Sequence, residues 1–156
     1  MDDKFIDVFT GRVSVSIKPV ILRAMAIGSC IAVVAYDRHK KIGGLAHIML
    51  PGRSPSEDSE DRTKYAEDAI DILLDTTKKL GAGKEDLEIN LVGGADVIGE
   101  GSISGEVVGS VLDYLKKLGI EPKNKKTDGA KRRSVSLDIE SGKIFYSEGD
   151  SMTKEL

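Results

Sequence analysis

Tryptophan is absent from this 156-residue chain and the other aromatics are three Phe and four Tyr. That is too few for a platform on which nucleic-acid bases stack. Cysteine occurs once, so no intramolecular disulfide can form, which fits a reducing compartment. One Cys and two His argue against a structural zinc site, which wants four ligands at close spacing. An excess of basic charge is also missing. Lys and Arg number 23 against 26 Asp and Glu, a net charge of −3, and nucleic-acid binders usually carry a strongly basic footprint. No stretch approaches the roughly 20 apolar residues of a membrane helix. The longest strongly apolar run, Cys30 to Ala35, has the length of a strand. Met1-Asp2-Asp3-Lys4 leads into no apolar signal region, so the expected compartment is the cytoplasm, with no membrane insertion.

What is present is the balance of a globular protein, 40% hydrophobic and 31% charged. The length suits one domain over residues 1–156. Val13, Val15 and Ile17 alternate with polar residues as a half-buried strand does. Val20 to Ala26 reads as a second strand. Cys30 to Tyr36 and Ile42 to Leu50 are apolar and flank a polar turn, the pattern of a buried hairpin. A helix is expected from about Arg62 to Leu80, with Ala66, Ala69, Ile70, Leu73 and Leu74 on one face and Gly81 as its stop. Leu87, Ile89 and Leu91 alternate into Gly93-Gly94. A second helix is expected from about Ser104 to Leu118, striped by Val107, Val108, Val111, Leu112 and Leu115. Val135 to Ile139 and Lys143 to Tyr146 read as late strands, and the polar tail after Gly149 as frayed. Glu57 to Asp61 reads as a loop. Two amphipathic helices and about seven strands predict an α+β fold. Its form is an α/β sandwich, a mixed, largely antiparallel β-sheet packed against two main helices.

Cys30 directly follows Gly28-Ser29, where a turn passes into a strand. A free cysteine is most often a small buried hydrophobe. At the end of a turn, however, a nucleophile is open to substrate, and N–H groups of Gly28-Ser29 can point at a developing oxyanion. A thiol needs a base or a lowered pKa to attack at neutral pH. His39 lies in the polar turn Asp37-Arg38-His39-Lys40 and reads as a solvated residue. His47 lies inside the apolar strand Leu45 to Leu50. Such a histidine is ordinarily a satisfied core residue. Here a turn centred on residues 38 to 40 places it opposite or near Cys30. Gly93-Gly94 reads either as a close backbone approach lining a substrate groove or as an ordinary strand-to-loop turn. Lys123 to Lys126 and Lys131 to Arg133 read as a solvated turn and strand edge, or, for Arg132 and Arg133, as pairing with a partner's carboxylate.

Taken together, Gly28-Ser29-Cys30-Ile31-Ala32-Val33, Asp37 and Ile42-Gly43-Gly44-Leu45-Ala46-His47-Ile48-Met49-Leu50-Pro51 resemble the signature of the CheD family of chemoreceptor glutamine deamidases. Lys64-Tyr65-Ala66, Gly93-Gly94-Ala95, Arg133-Ser134-Val135 and Gly142-Lys143 continue the likeness in order along nearly the whole chain. The resemblance implies hydrolysis of selected glutamine side chains on methyl-accepting chemotaxis receptors, with Cys30 attacking the amide and His47 activating it. It implies no metal or organic cofactor, and as partners the receptors' cytoplasmic helices and a CheC-type phosphatase.

Two positions depart from the family's pattern. The family's threonine six residues before the cysteine, which holds the histidine, is Ala24 here. Its Gly-x-Arg-Asn segment is Ser104-Gly105-Glu106-Val107. Ser29 and Thr127 are the conceivable substitutes for the missing hydroxyl. Ala24 keeps a second reading open, a catalytically weak binding module acting through receptor or CheC contacts. A receptor methyl-esterase would use the same nucleophile. An active enzyme is expected to hold the Cys30 thiol below the ordinary value of about 8.5.

Overall fold

The structure, a computed structural model, describes residues 4–56, 61–97 and 102–156, the side chains of 102 and 103 excepted. Most of the acidic run at 57–61 therefore lies outside the described residues. The strands are β1 (Phe5–Asp7), β2 (Val13–Ser16), β3 (Ile21–Ile27), β4 (Ile31–Asp37), β5 (Ile42–Ile48), β6 (Glu88–Gly93), β7 (Asn124–Lys126), β8 (Arg133–Asp138), β9 (Ile144–Glu148) and β10 (Lys154–Glu155). The helices are α1 (Ala66–Lys79) and α2 (Ser102–Lys117). The α+β class expected from the sequence is the one observed. The strands part into two five-stranded sheets, ordered β1-β3-β8-β9-β10 and β2-β5-β4-β6-β7. Pairing is antiparallel except for β1 with β3 and β6 with β7.

The second sheet is the middle layer of three. All seven residues of β4 and all seven of β5 are buried, because each strand is covered on both faces. Successive side chains of a strand point to opposite faces. Ala32, Val34 and Tyr36 therefore join Leu22, Ala24, Val135 and Leu137 in a core between the sheets. Ile31, Val33 and Ala35 join Ile70, Leu73, Val107 and Val111 in a core under the helices.

The helices lie where the 3.6-residue pattern puts them, with one adjustment. Tyr65 is extended, with φ −95° and ψ 140°, so Arg62–Lys64 is a separate 3-10 turn and α1 starts at Ala66. Glu67 and Asp68 in its first turn and Lys78 and Lys79 in its last suit the helix dipole.

Three short strands were not expected. Lys123 to Lys126 is not a plain turn, since Asn124–Lys126 pairs with Asn90–Val92. Lysines on this sheet edge discourage further pairing. The tail after Gly149 is not frayed at its end. Lys154 and Glu155 pair with Tyr146 and Phe145, and the Leu156 N–H donates to the Ile144 carbonyl at 2.8 Å.

Candidate active site

The hairpin of β4 and β5 turns at Asp37, whose Oδ1 accepts the N–H groups of His39 and Lys40 at 2.9 and 3.0 Å. His39 is exposed there, as its polar turn suggests. The register pairs Ile31 with Ile48 and Ala32 with His47. Cys30 therefore stands one step beyond the paired strand, level with Met49, and its neighbour His47 is diagonal rather than opposite. Both point into the space between the sheets. Cys30 packs on the inter-sheet core, and His47 shares the face of Leu45, two residues before it. Diagonal Cβ atoms on one sheet face are about 7 Å apart, within reach of a thiol and an imidazole.

His47 is 4% exposed and held on several sides. Its N–H donates to the Arg12 carbonyl at 2.9 Å, and its carbonyl accepts the Gly11 N–H at 2.8 Å. Its Nδ1 lies 2.9 Å from the Val8 carbonyl. A carbonyl only accepts, so Nδ1 carries the proton and Nε2 keeps its lone pair. Val8 is itself fixed, since its N–H donates to the Arg23 carbonyl at 2.8 Å as pairing beyond β1 and β3. The family's threonine position, Ala24, is 1% exposed in the same core. The ring is held by a backbone carbonyl rather than by Ser29 or Thr127. Nothing in the sequence signals a carbonyl 39 positions away.

Burial sets the charge states. Desolvation pushes the Cys30 thiol up from its ordinary value. It pushes His47 down from the usual imidazole value, and the Val8 hydrogen bond offsets this only in part. The expectation of a thiol titrating below the ordinary range is corrected here. Among the described residues no charged group offsets this rise, and no hydrogen bond joins Cys30 to His47. Both shifts favour the neutral forms, thiol and imidazole. Alkylation by iodoacetamide is accordingly expected to rise with pH through a midpoint above that of free cysteine. A midpoint below it would show a thiolate–imidazolium pair instead.

The turn before Cys30 is tied to the end of β6. The Gly94 N–H donates to the Cys30 carbonyl at 2.6 Å and the Ala95 N–H to the Gly28 carbonyl at 2.9 Å. Gly93 has φ +127° and Gly94 φ +70°. A Cβ built on Gly93 would meet the Cys30 carbonyl oxygen at 2.6 Å and Ile31 Cα at 3.0 Å, both backbone atoms. Gly93 thus makes a close backbone approach, and both glycines are buried beside the turn that carries Cys30. Gly93→Ala combines a strained backbone with a backbone clash, and should cost about 2–4 kcal/mol in chemical denaturation. A loss under about 0.5 kcal/mol would mean that the Cys30 turn shifts freely.

Arg133, read from the sequence as an edge residue, is 3% exposed. Its guanidinium pairs with Glu148 at 3.0 Å and donates to the Gly93 carbonyl at 3.3 Å. It braces the same junction from the first sheet. Ser29 is exposed, and among the described residues its N–H and that of Cys30 donate to no backbone carbonyl. Two open grooves of about 600 and 520 Å³ lie on the helix layer, along α1 and between α1 and α2, and neither includes Cys30 or His47.

A buried imidazole with one nitrogen fixed, a half-buried thiol on the same sheet face and two N–H groups beside it that are unpaired among the described residues make up a candidate cysteine–histidine site on an α+β scaffold. The family model described as CheD chemotactic sensory transduction matches residues 49–148. Among similar proteins, the probable chemoreceptor glutamine deamidase CheD of Methanococcus vannielii is 38% identical, over 81% of this chain and 84% of that protein. The chemoreceptor glutamine deamidase CheD of Thermotoga maritima is 36% identical over 86% of each. The probable chemoreceptor glutamine deamidase CheD of Clostridium botulinum is 33% identical over the full length of both. The chain belongs to the CheD family.

Proposed function

We propose that this protein hydrolyses glutamine side chains of chemoreceptors, with Cys30 as nucleophile and His47 as base. The names of its relatives support the substrate class. The observation that carries the chemistry is the Val8–His47 contact, which leaves Nε2 free on the face that Cys30 shares.

In this reading Sγ of Cys30 attacks the amide carbon of the target glutamine as its proton passes to Nε2 of His47. The amide oxygen gains the negative charge beside the N–H groups of Ser29 and Cys30. Collapse breaks the carbon–nitrogen bond. The amine takes the proton from His47 and leaves as ammonia, and a thioester joins Cys30 to the substrate. A water then loses a proton to His47 and attacks the thioester. Glutamate leaves and the thiol is restored. Because burial favours the neutral thiol and ring, base assistance replaces thiolate pre-formation. The partners of this reading are the cytoplasmic helices of the receptor and a CheC-type phosphatase, and its compartment is the cytoplasm.

Ala24 was the ground for reading the chain as a binding module, and the Val8 carbonyl supplies the orientation that Ala24 lacks. Incubation with the cytoplasmic fragment of a cognate receptor tests the proposal by mass spectrometry. A gain of about one mass unit at particular glutamines is expected, each becoming a carboxylate at neutral pH. An unchanged fragment, with and without a CheC-type protein, would overturn it.

A further inference from the structure

The chain has seven arginines. Five are neutralised by carboxylates. Arg23 pairs with Asp7, Arg38 with Glu88, Arg53 and Arg62 with Asp68, and Arg133 with Glu148. The two that no ion pair claims among the described residues are Arg12 and Arg132, both exposed. Each also has atoms beside the candidate site, Arg12 through its backbone and Arg132 through its guanidinium. The Arg12 carbonyl accepts the N–H of His47. At the turn before Cys30, a Cβ built on Gly28 would lie 3.9 Å from Nη1 of Arg132 and 3.7 Å from Cγ2 of Val97. The guanidinium and a 39%-exposed valine thus flank the turn that carries the nucleophile.

The backbones beneath these two cations are fixed. The Arg132 carbonyl accepts the Gly149 N–H at 2.8 Å, and its neighbour Arg133 is locked to Glu148 and Gly93. Arg12 is anchored through His47. Among the described residues, these are the two arginines that a chain of net charge −3 leaves without a carboxylate, the cations available to form a rim at the site. Such a rim steers and orients an anionic partner more than it adds affinity. Arginine suits this task because its planar fork binds a carboxylate through two parallel hydrogen bonds.

We propose that Arg12 and Arg132 are specificity-determining residues that engage carboxylates flanking the target glutamine, so that the site selects glutamines in an acidic stretch of helix. The inference rests on the deamidase reading. It assigns the cations to the substrate chain on either side of the reacting amide, and no role in bond making.

The test uses the whole protein and the cytoplasmic fragment of a cognate receptor, read by mass spectrometry for rate. Binding of the same fragment is measured in the Cys30→Ala background. Arg132→Glu and Arg12→Glu should each lower kcat/KM by about tenfold, through KM rather than kcat, and should flatten its salt dependence. Changing the acidic residues within four positions of the deamidated glutamine to lysine should depress the wild type and restore the charge-reversed variants. Unchanged kcat/KM and salt dependence in the variants, or no restoration by the exchanged fragment, would overturn the inference while deamidation itself stood. Arginine-dependent binding without any mass shift would overturn the deamidase reading and leave the rim's role in binding. A fragment that neither binds nor changes mass would overturn both.

Discussion

Cys30→Ala is expected to abolish deamidation, a loss of about 10⁴-fold or more in kcat, while the fold and receptor binding persist. The size of the loss follows from the chemistry. Without a nucleophile no thioester forms, and what remains is direct attack by water aided by the neighbouring N–H groups. The small structural cost follows from the packing. Cys30 is half-buried at the edge of the inter-sheet core, so removing its sulfur should cost only about 1 kcal/mol. The bond that ties this turn to β6 runs from the Gly94 N–H to the Cys30 carbonyl, which alanine retains. Single-turnover kinetics with receptor fragment, beside a denaturation curve, separate the two effects. A variant that folds and still deamidates at more than about a hundredth of the wild-type rate would remove Cys30 from the mechanism.

Much of this site could be read from the chain before its coordinates. The alternation in β4 and β5 and the short polar turn between them placed His47 near Cys30, and the observed register sets it two residues from the directly opposite position, level with Ala32. The helix stripes were equally legible, since Ala66, Ala69, Ile70 and Leu73 repeat with the helical period and meet one core. What failed to show was of another kind. β1, β7 and β10 have three, three and two residues, too short for any period to register. The division into two sheets depends on which strand edges meet, and side-chain order does not record that. Arg133 looks like a surface residue in a basic run, and only the fold brings Glu148 and the Gly93 carbonyl to it. The direction of the Cys30 shift was misread for a related reason. Catalytic thiols are usually activated by a nearby cation, but here the decisive quantity is desolvation, which depends on how deeply two sheets enclose the residue.

The position of Ala24 shows how such a gap can mislead. Read as a missing hydroxyl, it argues for a disoriented histidine. In the fold it is a tightly packed methyl between the sheets, paired with Val135, and the histidine's Nδ1 is already engaged by Val8. Orientation of a catalytic imidazole requires only an acceptor at the correct distance and direction. A backbone carbonyl fixed by strand pairing meets that need as well as a side chain does.

That assignment sets the second large effect. His47→Asn is expected to lower kcat by about 10²–10⁴-fold, the usual contribution of a positioned general base. Asparagine is the informative replacement, because its amide can still donate to the Val8 carbonyl and so avoids leaving a buried acceptor unpaired. The loss then reports on Nε2 rather than on unfolding. The pH profile gives an independent reading. His47 works as a base only when neutral, and burial holds its pKa below the ordinary imidazole value. Wild-type activity should therefore persist as pH falls to about 6.5 and be lost only below it. Burial raises the thiol, so no decline is expected until above the ordinary thiol range. In His47→Asn the acidic limb should vanish and the residual rate should climb with the thiolate fraction through the raised Cys30 pKa. A variant with near wild-type kcat, or one that keeps the acidic limb unchanged, would show that another group accepts the Cys30 proton.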